Sequence, residues 1–303
     1  MQQVEDNGSA RSGLSVWWYA LLLIPFLVYL KGLAPSVVIG DTGDYLTAGW
    51  IWGVAHPPGY PLYTILVGIF ERLPIPPFWV GLDEFSIVAW RANLLSAILA
   101  TLAVGVLFAL VRRLTRSNVA AIIAAGSLAF SRTFWWHAEI AENDALSSLF
   151  ILLILLMAVR WSQDRRPSDK WLLALTIGLA LSHHQSIILF LPAVFLFLWL
   201  RRALSFSPVQ WIGLILVFVL GLAPLLYLPI VRYKTVNGPV VFSSTESEGD
   251  ENVRYTDKSP LEFFLHYAGR GIYSEQRTYT QTMEALGEDR TTTSDVFRYC
   301  TDL

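Results

Sequence analysis

The sequence has few charged residues and a single cysteine. Only 15% of its 303 residues are charged, whereas a soluble domain normally carries about 25%. Because Cys300 has no second cysteine to pair with, an intrachain disulfide and a cysteine-based metal site are both excluded. The net charge of −2 shows no basic surplus, so no nucleic-acid partner is expected.

Apolar side chains are abundant instead: 54% of the residues are hydrophobic and 14% are aromatic. Several runs approach the roughly 20 residues that a membrane-spanning helix needs, which predicts an all-α polytopic membrane protein. We predict seven spans, at residues 15–33, 87–111, 118–134, 144–161, 170–183, 186–201 and 208–230. A shorter apolar run at 62–70 lies between Pro61 and Pro74, and it predicts a juxtamembrane or re-entrant helix.

Basic residues set the predicted orientation because Lys and Arg concentrate in short cytoplasmic loops. They cluster after the second, fourth and sixth spans, at 112–116, 160–170 and 201–202. All three clusters are cytoplasmic if the amino terminus is inside. The external segments are then 34–86, 134–143, 182–185 and 232–303.

This topology predicts three parts of the chain. Residues 1–14 form a cytoplasmic tail, and residues 15–231 form a transmembrane module whose large first external loop is 34–86. Residues 232–303 form an external polar tail, either complete or truncated. The unusual polar residues of the module therefore collect on its outer face.

The first external loop begins with GDTGDY, in which Asp41 and Asp44 are three positions apart. On a short helix this spacing places both carboxylates on one face. One interpretation is a general base that accepts a proton from an attacking hydroxyl. The other is that Asp41 only caps a helix, a position that Asp favours, and spacing alone favours the cap.

Further along this loop, the sequence AHPPGYPLY covers residues 55–63. Its three prolines make the backbone stiff, which would hold His56, Tyr60 and Tyr63 in fixed positions at the membrane interface. The alternative is a structural elbow with interfacial aromatic side chains. Taken alone, the proline-rich sequence favours the elbow.

Two other external segments carry polar residues that are costly in hydrocarbon and must face water or a pocket. Glu142 lies in FWWHAEIAEND at 134–144, and His183 and His184 lie where two short helices meet. A single histidine is most often a core residue, but two at a helix break beside external acids point to a site. No tight ligand spacing indicates zinc, so no metal site is predicted.

Arg91 and Asn93 lie at the outer end of the second span, where the positive-inside rule disfavours a cation. An anionic ligand such as phosphate would explain Arg91. Pairing with Asp83 or Glu84 would explain it equally well. Both interpretations remain open.

Taken together and in order, these motifs resemble a family of GT-C membrane glycosyltransferases, the transmembrane protein 260 type of protein O-mannosyltransferase. The similarity lies in GDTGDY, in HPPGYPLY, and in the shorter motifs at 91–97, 134–142 and 178–184. It covers roughly residues 15–230. The chain departs from the family at Asp144, usually Tyr, and at His183, commonly Asn.

The resemblance implies a GT-C-like bundle of about seven transmembrane helices, with the catalytic acid on the first external loop. Such an enzyme moves a mannose-like sugar, with inversion, from a polyprenyl-phosphate carrier to a protein or glycan hydroxyl on the external or lumenal face. Asp41 and Asp44 are the catalytic residues implied. The residues implied for donor phosphate and sugar binding are His56, Tyr60, Arg91, Asn93, Glu142, His183 and His184.

No cofactor or metal is expected, because cationic side chains can hold a lipid monophosphate leaving group. We expect a multi-pass protein of the bacterial inner membrane, or of the endoplasmic reticulum in a eukaryote. The alternatives are a transporter or flippase of a lipid-linked or polar solute, and an inactive truncated relative. A transporter predicts acids midway along helices and broken helices in paired halves.

Overall fold

The structure is a computed structural model that describes residues 21–56, 58–77 and 81–235, and these residues form helices and no strand. The predicted tail at 1–14 and residues 236–303 lie outside the described residues. In chain order the helices are α1 (Leu21–Gly32), α2 (Thr42–Trp50), α3 (Pro61–Arg72), α4 (Glu84–Thr115), α5 (Asn118–Ala129), α6 (Arg132–Ala138), α7 (Asp144–Asp164), α8 (Pro167–His183), α9 (Leu191–Leu200), α10 (Pro208–Gly221) and α11 (Tyr227–Thr235).

The helical membrane class is confirmed, while the number of seven spans stays a prediction. By length and apolar composition, α4 and α7 can each cross a membrane alone. The pair α5–α6, bent by 66°, and the pair formed by α10 and Ala223–Val231, bent by 45°, raise the number in the described chain to four if each pair is one span. The segments Leu21–Gly32 and Gln185–Leu200 are apolar but shorter.

The long helix α4 lies at the centre of the bundle and packs against α3, α5, α6 and α7. It begins at Asp83, whose carboxylate accepts a hydrogen bond from the backbone N–H of Ser86 at 2.9 Å. Small side chains, including Ala89, Ala92 and Ala97, are fully buried along it and let neighbouring helices approach closely. The helix therefore gives its four neighbouring helices a common support.

Two of the predicted spans are broken in the structure. In the predicted span 118–134, the first helix ends at Ala129. Ser131 adopts an extended backbone, and α6 begins directly after it. The predicted span 208–230 bends after Gly221, where Pro224 supplies no backbone N–H to continue the helix.

The segment 34–86 contains the two helices α2 and α3, which pack side by side. Their backbones touch: a Cβ on Gly49 would lie 2.9 Å from the backbone nitrogen of Gly68. Arg72 ties the helices together, since its Nη1 donates to the carbonyl oxygens of Gly49 at 3.2 Å and Gly68 at 2.6 Å. The short helix predicted near 62–70 is thus present, and the chain between α2 and α3 returns to the start of α2.

Candidate active site

Asp41 lies immediately before α2, in the position of a helix cap, yet its carboxylate makes no capping hydrogen bond to this helix. Its side chain is 58% exposed. Its backbone N–H donates to Oε1 of Glu142 at 3.1 Å, and its carboxylate lies 3.6 Å from the ring of His56. The interpretation of Asp41 as only a capping side chain is therefore wrong, and its carboxylate is accessible for chemistry.

His56 lies between the two carboxylates of the GDTGDY motif. Its Nδ1 and its backbone nitrogen are each 2.7 Å from Oδ2 of Asp44, and its Nε2 is 3.6 Å from Oδ2 of Asp41. Burial lowers the pKa of His56, but the hydrogen bond to Asp44 and the charges of Asp41, Asp44 and Glu142 outweigh it and raise the pKa overall. The imidazole therefore stays positively charged to a higher pH than an ordinary histidine.

Glu142 is 8% exposed and faces the start of α2. Besides the Asp41 backbone N–H, it accepts a hydrogen bond from the Thr42 hydroxyl at 3.5 Å. Gly40 makes room for this carboxylate: its φ is +119°, and a Cβ there would lie 2.9 Å from Oε1. Burial, followed by the charges of Asp41 and Asp144, raises the pKa of Glu142 to about 7.

This raised pKa predicts a pH-dependent loss of stability that Glu142→Gln should remove. In the unfolded chain the carboxyl has a pKa of about 4.3, so between that pH and about 7 the folded protein holds a proton that the unfolded chain has lost. The free energy of unfolding of the wild type should therefore fall as the pH rises through this window. Gln keeps the acceptor oxygen and does not titrate.

Thermal unfolding midpoints of the two proteins, measured from pH 4.5 to 8, check this prediction. The variant's advantage should grow as the pH rises to about 7 and then level off, following the titration of Glu142. A difference that stays constant over the whole range would contradict the placement of a buried, protonated Glu142.

Aromatic rings surround His56 and connect it to the histidine pair. The ring of Tyr45 lies 5.4 Å from Tyr60, 5.0 Å from Tyr63 and 5.6 Å from His56, measured between centroids. Tyr60 also lies 5.5 Å from His184. Its φ of +39° is a left-handed conformation that a bulky residue adopts only where its surroundings hold it. The contacts of Tyr60 with Tyr45, His56 and His184 are consistent with such a held position.

His183 is buried against the rings of Tyr60, Tyr63 and His184 and does not face water. It is 1% exposed, and its Nε2 lies 3.0 Å from the Ser147 hydroxyl and 3.2 Å from the carbonyl oxygen of Asn143. The side-chain amide of Asn143 in turn donates to the hydroxyl of Tyr45. Asn143, Tyr45 and Tyr63 are absent from the predicted site, and the only sequence signal for Asn143 is its place between two acids.

The structure does not bring Arg91 and Asn93 into the cluster through their polar groups. The guanidinium of Arg91 donates to the carbonyl oxygens of Ile75 at 3.0 Å and Glu71 at 3.1 Å. Arg91 therefore bonds to the backbone at and just after the C-terminal end of α3. Asp83, one of its expected partners, instead caps α4.

Asn93 is fully buried, and its amide joins three segments. Its Nδ2 donates to the carbonyl oxygens of Ala34 at 2.8 Å and Ser36 at 3.2 Å, and its Oδ1 accepts from the N–H of Ala141 at 2.8 Å. These bonds hold the segments before α2 and before α7 against α4. Asn93 thus positions the segments that carry Asp41 and Glu142.

The described residues thus place six of the predicted site residues in one cluster, in addition to Glu142: Asp41, Asp44, His56, Tyr60, His183 and His184. Asp144, where the chain departs from the family pattern, lies 3.2 Å from Nδ1 of His137. Within the described part of the chain, no group of three or more His, Cys, Asp or Glu residues could hold a metal ion.

A helical membrane protein with paired carboxylates and a histidine on its first long loop has the parts that a membrane glycosyltransferase needs. Residues 41–207, more than half of the chain, match the family described as Protein O-mannosyl-transferase TMEM260 N-terminal domain. The chain belongs to this family, as its motifs predicted.

Two relatives carry the same description. The mouse (Mus musculus) protein named Protein O-mannosyl-transferase TMEM260 is 32% identical over 243 residues, which are 75% of this chain and 33% of the mouse protein. The Dictyostelium discoideum protein of that name is 27% identical over 139 residues, 46% of this chain and 16% of the relative. The chain thus spans at most about a third of the length of these relatives. No solved structure matches it with significance.

Proposed function

We propose that this chain forms the catalytic module of a membrane mannosyltransferase. In this proposal it moves mannose from a polyprenyl-phosphate carrier to a hydroxyl group of a protein acceptor, with inversion. The names of the two relatives support the sugar and the protein acceptor. The single observation that carries the mechanism is the exposed Asp41 carboxylate, 3.6 Å from a histidine that Asp44 holds.

In the proposed reaction Asp41 is the general base. The acceptor oxygen attacks the anomeric carbon, its proton passes to Asp41, and the bond between that carbon and the phosphate oxygen breaks. The bonding electrons leave with the lipid monophosphate. A positioned base of this kind typically contributes about 10²–10⁴-fold to the rate.

The remaining residues of the cluster have supporting roles in the proposal. Asp44 orients His56 and keeps its ring charged. The positive charge of His56 then attracts the phosphate group as negative charge develops on it, together with the ring of His184 on the other side of Tyr60. Arg91 is given no role in this proposal, because its guanidinium already donates to two backbone carbonyl groups.

The proposed orientation places the amino terminus in the cytoplasm and the cluster on the external or lumenal face. The basic segments after the second, fourth and sixth predicted spans support this orientation. A GT-C arrangement of the bundle, with α2 and α3 as parts of its first external loop, belongs to the same proposal.

A transfer assay tests the proposal directly. The full chain in lipid nanodiscs is mixed with polyprenyl-phosphate mannose and a peptide that contains Ser and Thr. We expect a mannosylated peptide, released polyprenyl phosphate, and the opposite anomeric configuration from the donor. In sealed vesicles, intact donor recovered in the other leaflet without transfer would instead support a flippase. Unreacted donor in both assays would contradict both functions.

A further inference from the structure

A second feature of the predicted outer face lies apart from the Asp41 cluster, at the bend between α5 and α6. A cavity of about 660 Å³ opens there, and its lining consists of Phe130, Arg132, Thr133, Trp135, Trp136 and Glu139. Small-molecule sites typically have volumes of about 300–1,000 Å³, so this cavity has room for several side chains of a ligand. The proposed base and the histidines that face the donor phosphate do not line it.

The lining carries one positive and one negative side chain. Arg132 is exposed, and within the described part of the chain its guanidinium has neither a hydrogen-bond partner nor an ion-pair partner. Glu139 is held in place, because its Oε1 accepts a hydrogen bond from the indole N–H of Trp135. Gly32 leaves room for this carboxylate, since a Cβ there would lie 1.8 Å from Oε1. A carboxylate accepts several hydrogen bonds, so Glu139 can still accept one from a ligand.

Aromatic rings form most of the remaining lining. The ring centroids of Phe130 and Trp135 are 5.7 Å apart, in an edge-to-face arrangement. Trp136 is 53% exposed beside them. Tryptophan and arginine are enriched among the residues that dominate binding energy in protein–protein interfaces, because each joins a broad face to hydrogen-bond donors. This composition favours a polypeptide ligand.

The two charges of the lining distinguish between kinds of ligand. A phosphate head group presents only negative charge, which would meet Glu139 as well as Arg132. In the proposed function the donor phosphate already has its place at His56 and His184. An extended peptide instead offers backbone N–H groups for Glu139 and an acidic side chain for Arg132.

We propose that this cavity binds a segment of the protein acceptor, with an acidic side chain at Arg132, a backbone N–H at Glu139 and an apolar side chain against Trp136. This inference rests on the proposed function, because a protein acceptor is one of the two substrates in that function. It adds the basis on which an acceptor is selected.

The path from the cavity to the proposed base is short. Glu139 is three residues before Glu142, at most about 11 Å along an extended chain, and Oε1 of Glu142 lies 3.1 Å from the backbone nitrogen of Asp41. The carbonyl oxygen of Glu139 also accepts from the N–H of Ala34 at 3.0 Å, in the segment that leads to Asp41. Because an extended peptide spans about 3.3–3.6 Å per residue, the bound segment and the acceptor hydroxyl should lie within about ten residues of each other.

A double-mutant cycle between the enzyme and its acceptor tests the cavity. Peptides of equal length carry one Thr and one Asp at separations up to about ten residues, and each has a counterpart with Asn in place of Asp. For the full chain in nanodiscs of neutral lipid, the Asp peptide of best separation should have a KM up to about fivefold below that of its counterpart, as for an exposed ion pair. With Arg132→Gln this difference should vanish, while kcat and the KM for polyprenyl-phosphate mannose stay unchanged.

Two further variants complete the set. Trp136→Ala should raise the KM for both peptides by about tenfold, the loss of an aromatic anchor, and leave the KM for the donor unchanged. Arg116→Gln is the matched control, because Arg116 is exposed at the opposite end of α4. It should keep the wild-type preference for Asp. Thermal unfolding midpoints verify that every variant is folded.

Binding of a dye-labelled Asp peptide without donor separates this inference from the proposed function. The wild type and Asp41→Asn should bind the peptide with similar affinity, and Arg132→Gln should bind it more weakly. Such binding without any transfer by the wild type would contradict the proposed function and leave the cavity as a peptide site.

Three results would overturn the cavity proposal. The first is equal peptide KM and peptide affinity for the wild type, Arg132→Gln and Trp136→Ala. The second is a rise in KM for the donor alone, which would make the cavity part of the donor site. The third is phosphatidylglycerol retained by the wild type but not by Arg132→Gln, with equal peptide binding by both. A wild type that neither binds the peptide nor transfers mannose would contradict both proposals.

Discussion

Replacing Asp41 with Asn should reduce mannosyl transfer by about 10²–10⁴-fold, the range expected for loss of a general base, and leave the fold intact. The carboxylate is exposed and makes no capping hydrogen bond to α2, so Asn removes basicity and the partly exposed ion-pair contact with His56 but no helix-capping bond. The backbone N–H that bonds to Glu142 is retained. Initial rates of peptide mannosylation and the thermal unfolding midpoint measure the two effects separately.

Asp83→Asn is the matched control for this substitution. Asp83 also precedes a helix, and its side chain caps α4 by accepting the N–H of Ser86. Because Asn caps helices about as well as Asp, this variant should keep both its activity and its stability. A rate for Asp41→Asn within a few-fold of the wild type would remove Asp41 from the role of base.

Replacing Asn93 with Leu should lower the free energy of unfolding by about 3 kcal/mol or more, because three backbone groups lose their partner and each such group costs about 1–3 kcal/mol when buried. Leu has a similar volume but offers neither a donor nor an acceptor. The N–H of Ala141 and the carbonyl oxygens of Ala34 and Ser36 would all lose their bonds to this side chain. Thermal unfolding of the purified protein measures the loss.

Asn118→Leu provides the comparison, because Asn118 is exposed at the first turn of α5. We expect it to change the unfolding midpoint little. The sequence had suggested a different role for Asn93, as a ligand of the donor. An Asn93→Leu protein of normal stability and raised KM for the donor would support that role and contradict the one the structure gives it.

Much of the helical framework could be predicted because hydrophobic runs and prolines are local signals. The start of α3 at Pro61 follows from the low cost of proline in the first turn of a helix. The break at Ser131 was not predicted because the polar residues 131–133 form only a short step between apolar residues, and hydropathy does not report backbone conformation. The bend at Pro224 had a signal in the sequence, but it lies inside a run long enough to be taken for one span.

The candidate site, too, could be predicted only in part from the sequence. The predicted topology brought Asp41, His56 and His184 to one face, and the structure places them around Tyr60 and its neighbours. The roles of Arg91 and Asn93 depend on carbonyl groups up to 59 residues away in the chain. Such bonds leave no pattern in nearby residues. The sequence therefore suggested donor-binding roles for two side chains that bond to backbone carbonyl groups in the structure.

Asp41 and Asp44, the two carboxylates that face His56, stand one turn apart at the start of a single helix. Their backbone separation is set by the first turn of α2. His56 reaches the pair from a separate segment of the chain, through two 2.7 Å contacts with Asp44 and a 3.6 Å contact with Asp41. The distance from the imidazole to the two acids therefore depends on how that segment packs against α2.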